Sequence, residues 1–370
     1  MKRLARALAL GTMIGLIMAG CVPDQGNRAD QPIPAKLLAQ MSAKGMSPAA
    51  PIFIRIYKQE SELEVWKRDT RGRYALLKTY PICRWSGKLG PKTASGDRQA
   101  PEGFYTVSAR QMNPNSQYYL SFDLGFPNKL EKALGYTGSA LMVHGACSSS
   151  GCYAMTDQQA GELYAVAREA FAGGQRDFEV QALPFRMTAA NLERHRGDPN
   201  MPFWLNLKQG AAIFDATRQP PEVDACGGRY VFNAVATNPS ATFEPLAPCP
   251  AYTTDPATAS ALASVNALAA SLAAEPPAAP LAMSYVDGGM HESFRALMRQ
   301  VGSKKMGQMT SGKVPISRPD AALADPYSSA PTAEMAGAPP APAAPATTPS
   351  TAAAPASDPI AVLAAASGHT

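Results

Sequence analysis

The chain has 370 residues, 46% hydrophobic and 17% charged, with 34 Pro, 29 Gly and a formal net charge of +5. The glycines keep no period of three, which excludes a collagen repeat. The scattered basic residues form no stripe with interleaved aromatics, which argues against nucleic-acid binding. Apart from one apolar N-terminal stretch, no run is expected to reach the roughly 20 residues of a membrane helix. Every aromatic residue but Tyr252, Tyr285, Phe294 and Tyr327 lies between positions 50 and 250. Residues 251–370 hold 33 Ala and 15 Pro. Large buried side chains contribute ~1.5–3 kcal/mol each, so this last stretch is expected to build no core. One globular domain over residues 50–250 is expected, followed by a disordered Ala/Pro-rich tail over 251–370.

At the N-terminus, Lys2, Arg3 and Arg6 precede a short uncharged stretch rich in Leu, Ile and Met. This pattern predicts a secretory signal over residues 1–20. It ends in Met18-Ala19-Gly20-Cys21, which resembles a bacterial lipobox and makes Cys21 the expected lipidation site; ordinary cleavage with a free Cys21 is the alternative. Val22, rather than Asp, follows the cysteine. The expected location is therefore the periplasm, with a lipid anchor in the outer membrane of a Gram-negative envelope. Residues 22–49 are polar and lack aromatics, as in a flexible linker with a reach of roughly 30 Å.

Residues 52–58, 62–67 and 74–80 read as three short strands with polar turns between them, an antiparallel meander. Residues 103–107 and 140–144 add two more. The second is apolar until His144, as in a buried strand that delivers one polar group at its end. Thr156 followed by Gln159 is a capping-box pattern opening a helix that Gly173 stops, with Ala160, Leu163, Tyr164, Ala167 and Phe171 on one face. Phe178 and Val180 belong to a further strand. The fold class is β-rich α+β, mostly antiparallel, with a few packed helices.

Between that strand and that helix runs His144-Gly145-Ala146-Cys147-Ser148-Ser149-Ser150-Gly151-Cys152-Tyr153-Ala154-Met155-Thr156. A cysteine nucleophile needs a base or a positive helix end to raise its thiolate fraction. His144 and the oncoming helix N-terminus are positioned for both roles at Cys152. Gly151 lets backbone approach, so N–H groups around Cys152 are candidates for holding an oxyanion. His144, Cys147 and Cys152 as zinc ligands are the alternative, although an evident fourth ligand is missing.

These residues resemble the YkuD-type L,D-transpeptidase catalytic domain, whose pattern is a strand-borne His-Gly followed by Ser-x-Gly-Cys. They are most similar to its YafK-like branch. Supporting motifs are Ile82-Cys83-Arg84-Trp85-Ser86-Gly87-Lys88-Leu89-Gly90-Pro91-Lys92, Gly96-Asp97, Ala100-Pro101-Glu102-Gly103-Phe104-Tyr105, Gly125-Phe126-Pro127-Asn128 and Pro184-Phe185-Arg186-Met187-Thr188. The resemblance spans about residues 51–232. It implies a YkuD-type β-sandwich or barrel-like domain, Cys152 as nucleophile, His144 as general base and acid, and the Gly145 carbonyl orienting the imidazole. It further implies an oxyanion hole at Gly151 and Cys152, and substrate contacts at Ser150 and Tyr153. The implied reaction is acyl transfer on peptidoglycan stem peptides at meso-diaminopimelate, through a thioester and without metal or cofactor. In the YafK-like branch the implied outcome is hydrolysis releasing a wall-attached outer-membrane lipoprotein. Two departures bear on the acyl acceptor: the His144-to-Cys152 loop is about half the usual length, and Ser150 and Ala154 replace the family's His and its Arg or Asn.

Cys147 is the rival nucleophile. It is otherwise a partner for Cys83, as the family-like motifs imply, or for Cys152 in a redox lock. Cys226 and Cys249 form the other candidate pair. His195 is expected to be a solvated residue at a polar helix end, and His291 and His369 to be exposed. Arg84, Trp85 and Lys92 are candidate substrate contacts. Residues 257–274 and 291–301 are expected to form a transient Ala-rich helix and a short amphipathic one. A non-catalytic wall-binding lipoprotein is the reading from a different class.

Overall fold

Leu37 and Met41, four residues apart, fall on one face of α1 (Ala35–Ala43), and both are buried. Strands β1 (Ile52–Tyr57), β2 (Glu62–Arg68) and β3 (Tyr74–Pro81) follow, paired antiparallel in the expected meander. Next come β4 (Arg84–Trp85), β5 (Gly103–Ser108), β6 (Met112–Asn113), β7 (Ser121–Asp123), α2 (Lys129–Ala133), β8 (Met142–His144) and β9 (Tyr153–Ala154). Helix α3 (Asp157–Ala172) connects to β10 (Asp177–Leu183), and α4 (Ala189–Arg194) and α5 (Met201–Thr217) come after it. Two hairpins join β11 (Val223–Cys226) to β12 (Arg229–Phe232) and β13 (Val235–Ala236) to β14 (Tyr252–Thr253). Helices α6 (Pro256–Ala274), α7 (Glu292–Val301), α8 (Ser303–Gln308) and α9 (Pro319–Leu323) close the series. The computed structural model describes residues 27–281 and 284–327. The expected signal, Cys21, His369 and the distal Ala/Pro run lie outside the described residues.

The strands form two five-stranded sheets, ordered β3-β2-β1-β10-β5 and β4-β9-β8-β7-β6. Pairing is mostly antiparallel, as expected; β1 with β10 and β8 with β9 are the parallel pairs. Ile54, Tyr105 and Val180 of the first sheet share one apolar cluster with Phe122, Val143 and Tyr153 of the second and with Leu163 and Val166 of α3. Phe122 meets Phe178 edge-on across this core at 5.6 Å. Helix α3 begins where its cap dictates: Gln159 N–H donates to Thr156 Oγ1 at 3.3 Å, and Thr156 N–H to Gln159 Oε1 at 3.0 Å. That start leaves a short loop between β8 and α3 for the chemistry.

The flanking segments correct the sequence expectation. Part of the expected linker is packed, because Ile33, Leu37, Met41 and Met46 join the main core. Residues 251–281 and 284–327 of the expected tail carry β14 and helices α6–α9. Helix α6 does reach membrane-spanning length, with 19 residues and a mean hydropathy of 1.4, but it lies against α5, burying Ala261 and Val265. Tyr285 meets the buried Trp85 edge-on at 4.8 Å. A segment too poor in large side chains to build its own core can still complete an existing one. Composition alone cannot distinguish those two cases.

Candidate active site

His144 ends β8, where Leu141 and Val143 bury the strand and leave the imidazole 3% exposed. Its Nδ1 lies 2.5 Å from the Gly145 carbonyl oxygen. An oxygen there accepts, so the hydrogen-bond network assigns the proton to Nδ1 and leaves Nε2 with its lone pair. Burial lowers the imidazole to about 4, against the opposing pull of the Gly145 carbonyl and Asp157. The ring is therefore neutral at pH 7. Tyr118 covers it at 4.8 Å and a 34° tilt while remaining 42% exposed. Gly145 is required for space: a Cβ would come 2.7 Å from Asp157 Oδ1 and 2.9 Å from the Tyr118 carbonyl.

Cys152 closes the loop at the entry to β9. The parallel register sets Val143 beside Tyr153 and His144 beside Ala154, so Cys152 falls beside Met142. The Met142 N–H points at Cys152 Sγ from 3.4 Å. Met142 and His144 share a strand face and are one two-residue step apart, roughly 6.6 Å. Burial raises the half-buried thiol above the ordinary range; the Met142 N–H lowers it, Asp123 raises it and Lys92 lowers it. The thiolate expected from the helix end is thus outweighed at rest. The other described cysteines are bonded, Cys83 to Cys147 and Cys226 to Cys249, leaving Cys152 free. Bonded Cys147 is neither the rival nucleophile, a zinc ligand with His144, nor a redox lock on Cys152.

The expected oxyanion groups are engaged. Gly151 and Cys152 N–H donate to Ser149 Oγ at 3.3 and 3.1 Å, and the Ser149 hydroxyl donates back to the Cys152 carbonyl at 2.7 Å. These two N–H groups therefore do not stand open in the resting loop. Gly151 takes φ +128°, a value that favours glycine, and packs against Leu141. Ser150 is exposed beside the nucleophile, its Oγ accepting from Arg98 Nη1 at 2.9 Å. Tyr153 is fully buried, its hydroxyl donating to the Pro101 carbonyl. It is a core residue rather than a substrate contact, because β9 turns it inward.

His195 also departs from expectation. It is 2% exposed, stacked on Phe185 at 4.6 Å and hydrogen-bonded to Gln59 at 2.8 Å. Arg84 and Trp85 are wholly buried and unable to reach a ligand, whereas Lys92 reaches the thiol electrostatically. His291 is half-buried as the N-cap of α7. Tyr118 over the imidazole and the Met142 N–H on the thiol escaped the sequence reading, because their places depend on β7–β8 and β8–β9 pairing. Ser149 and Ser86 stood in the sequence motifs, but their contact, Oγ to Oγ at 3.0 Å, is tertiary. A cavity of about 610 Å³ lined by Phe104, Lys129 and Glu179 lies apart from Cys152.

With this geometry in hand, residues 51–177 match the L,D-transpeptidase catalytic domain family YkuD. Over 182 residues the chain is 44% identical to the Escherichia coli K12 protein named "Putative L,D-transpeptidase YafK", covering 49% of this chain and 74% of that one; the O157:H7 counterpart gives the same figures. Among solved structures, the helical cell shape determining protein Pgp2 from Campylobacter jejuni aligns at TM-score 0.30 and 17% identity, covering 51% of this chain and 79% of that one. Bdellovibrio bacteriovorus Bd1075 aligns at TM-score 0.25 and 18% identity, covering 37% and 49%.

Proposed function

The chain belongs to the YkuD family of L,D-transpeptidase catalytic domains, and from that premise we propose that it is a cell-envelope cysteine acyltransferase acting on peptidoglycan stem peptides. The observation that carries the reading is the Cys152 thiol. It is free among the described cysteines, held by the Met142 N–H, and one strand step from His144, whose Nδ1 is engaged by the Gly145 carbonyl so that Nε2 keeps its lone pair.

In this mechanism, His144 Nε2 takes the thiol proton as Cys152 Sγ attacks the carbonyl at the L-centre of meso-diaminopimelate. The Gly145 carbonyl, already on Nδ1–H, stabilises the imidazolium that forms. That imidazolium returns its proton to the leaving amine as the C–N bond breaks, leaving a thioester on sulfur. An amine or water then attacks the thioester, its proton passes to Nε2, and the departing thiolate recovers it. Ser150 and Arg98 flank the acyl group. Oxyanion stabilisation by Gly151 and Cys152 N–H requires them to exchange from Ser149 Oγ as substrate enters.

One observation favours the hydrolytic outcome, release of a lipoprotein covalently bound to the wall. Ala154 is fully buried in β9 opposite Arg84, so this position offers no polar group to an acceptor amine. Incubating the full chain with plain and with lipoprotein-linked muropeptides, followed by mass spectrometry, decides the outcome. New cross-links mean transfer, released tripeptide or protein means hydrolysis, and both should vanish in Cys152→Ala. No product from either substrate would instead support a non-catalytic wall-binding lipoprotein. Anchoring through Cys21 in the outer membrane, on its periplasmic side, belongs to the same proposal; loss of fatty-acid labelling in Cys21→Ser is the expected result.

A further inference from the structure

Ser149 holds the backbone of the nucleophile, and its own backbone is held from 168 residues away. Ser317 Oγ accepts the Ser149 N–H at 3.0 Å and donates to the Ser149 carbonyl at 2.8 Å. A hydroxyl has one proton and two lone pairs, so this single group fixes both backbone poles of one residue. Ser317 is itself placed from below: its carbonyl accepts from Nε of the wholly buried Arg84 at 3.0 Å. Its neighbour Ile316 packs with Met290, Met298, Met306 and Ala322 around Cys83 and Cys147.

A second attachment runs in parallel. Asp287 accepts the Gly87 N–H at 3.1 Å and Arg98 Nη2 at 3.0 Å. Arg98 passes the contact on to Ser150 Oγ. Residues 284–327 therefore grip two consecutive loop residues, Ser149 directly and Ser150 through Arg98, immediately ahead of Gly151 and Cys152. The family match ends at residue 177, so this contribution comes from outside it.

We propose that Ser317 is a positioning residue for acyl transfer at Cys152, acting through Ser149, and that residues 284–327 are a working part of the catalytic unit. Without the Ser317 hydroxyl the Ser149 backbone loses both bonds and the turn through Gly151 loosens. Cys152 Sγ then leaves the Met142 N–H that favours its thiolate. The catalytic arm of the test rests on the acyltransferase reading; the thiol arm does not.

The test compares full-length wild type, Ser317→Ala and Ser317→Thr. Turnover on muropeptides, the pH profile of Cys152 alkylation by iodoacetamide, and thermal unfolding are measured for each. For Ser317→Ala, kcat should fall about tenfold or more with KM unchanged, as for a displaced reacting group. The alkylation midpoint should move to higher pH, and Tm should stay within about 2 °C. Ser317→Thr, which keeps the hydroxyl, should restore both kcat and the midpoint. An unchanged alkylation profile in Ser317→Ala overturns the proposal, whether kcat is unchanged or falls only in step with the folded fraction. If wild type shows no turnover at all, the acyltransferase reading fails and the alkylation profile alone decides the role of Ser317.

Discussion

At the scale of single residues, the site holds a protonated thiol and a neutral imidazole at rest. Burial raises the Cys152 thiol and lowers His144 to about 4, so both groups favour their uncharged forms near pH 7. The base is thus in working form over the whole neutral range, and the thiolate appears only as its proton is taken. At pH 7 Cys152 should alkylate more slowly than a free cysteine peptide. His144→Ala should leave that slow reaction nearly unchanged while cutting turnover by roughly 10²–10⁴. A thiolate that titrates in at pH 5–6 and vanishes in His144→Ala would show a resting ion pair instead. Tyr118 lies over the imidazole with 42% of its surface exposed, so its ring shields the base from water. Tyr118→Ala should lower kcat about tenfold through misorientation of the base, and steady-state kinetics beside Tyr118→Phe, which keeps the ring, checks it.

At the scale of elements, the site depends on a short loop tied at several points. Cys83–Cys147 joins the entry of β4 to that loop across a sequence separation of 64. Closing a loop of this length restricts the unfolded chain by up to about 4 kcal/mol. Replacing both cysteines by alanine should lower unfolding free energy by ~2–4 kcal/mol in a denaturant titration; no loss would mean that native packing alone fixes the loop. The elements legible in the sequence are those with local signals. The turns between β1, β2 and β3, the cap of α3 at Thr156 with its stop at Gly173, and the polar end of β8 were all readable in this way. Helix α5 was not, because its buried stripe of Trp204, Leu207, Ala211 and Phe214 is blurred by apolar Phe203, Leu205 and Ile213 around it and by the buried polar Asn206. Tyr153 was misplaced for a related reason: proximity to a nucleophile in sequence says nothing about which face of β9 a side chain takes.

At the scale of the whole molecule, the catalytic residues cluster within one loop, but their support comes from the entire described chain. His144 and Cys152 were legible because nine consecutive residues carry them; Ser317 was not, because its relation to Ser149 is purely tertiary. The Ala/Pro content of the C-terminal region concealed Tyr285, Asp287 and Ile316 docking onto the domain. Folding also sets up an opposed pair of pH dependences. Buried His195 is lowered to about 4, so the unfolded chain binds its proton first and stability falls as pH drops from about 6.5 towards 4. Glu131 and Glu179, raised by burial to about 7 and about 8, act in the opposite sense, favouring the folded state as pH falls. These contributions overlap between pH 4 and 8, and the one from His195 can be isolated. Relative to wild type, His195→Gln should lose about 2–3 kcal/mol less stability between pH 6.5 and 4.5, measured by denaturant midpoints at both pH values. Identical pH slopes would contradict the lowered histidine.

The central claim is a covalent bond to Cys152. Full-length protein mixed with a diaminopimelate-containing stem tetrapeptide, acid-quenched and analysed by intact mass and peptide mapping, tests it most directly. The account predicts an added mass equal to the peptide acyl group without its leaving residue, mapped to Cys152 and absent in Cys152→Ala. Turnover without an adduct that persists in Cys152→Ala, or an adduct mapped to another side chain, would contradict it.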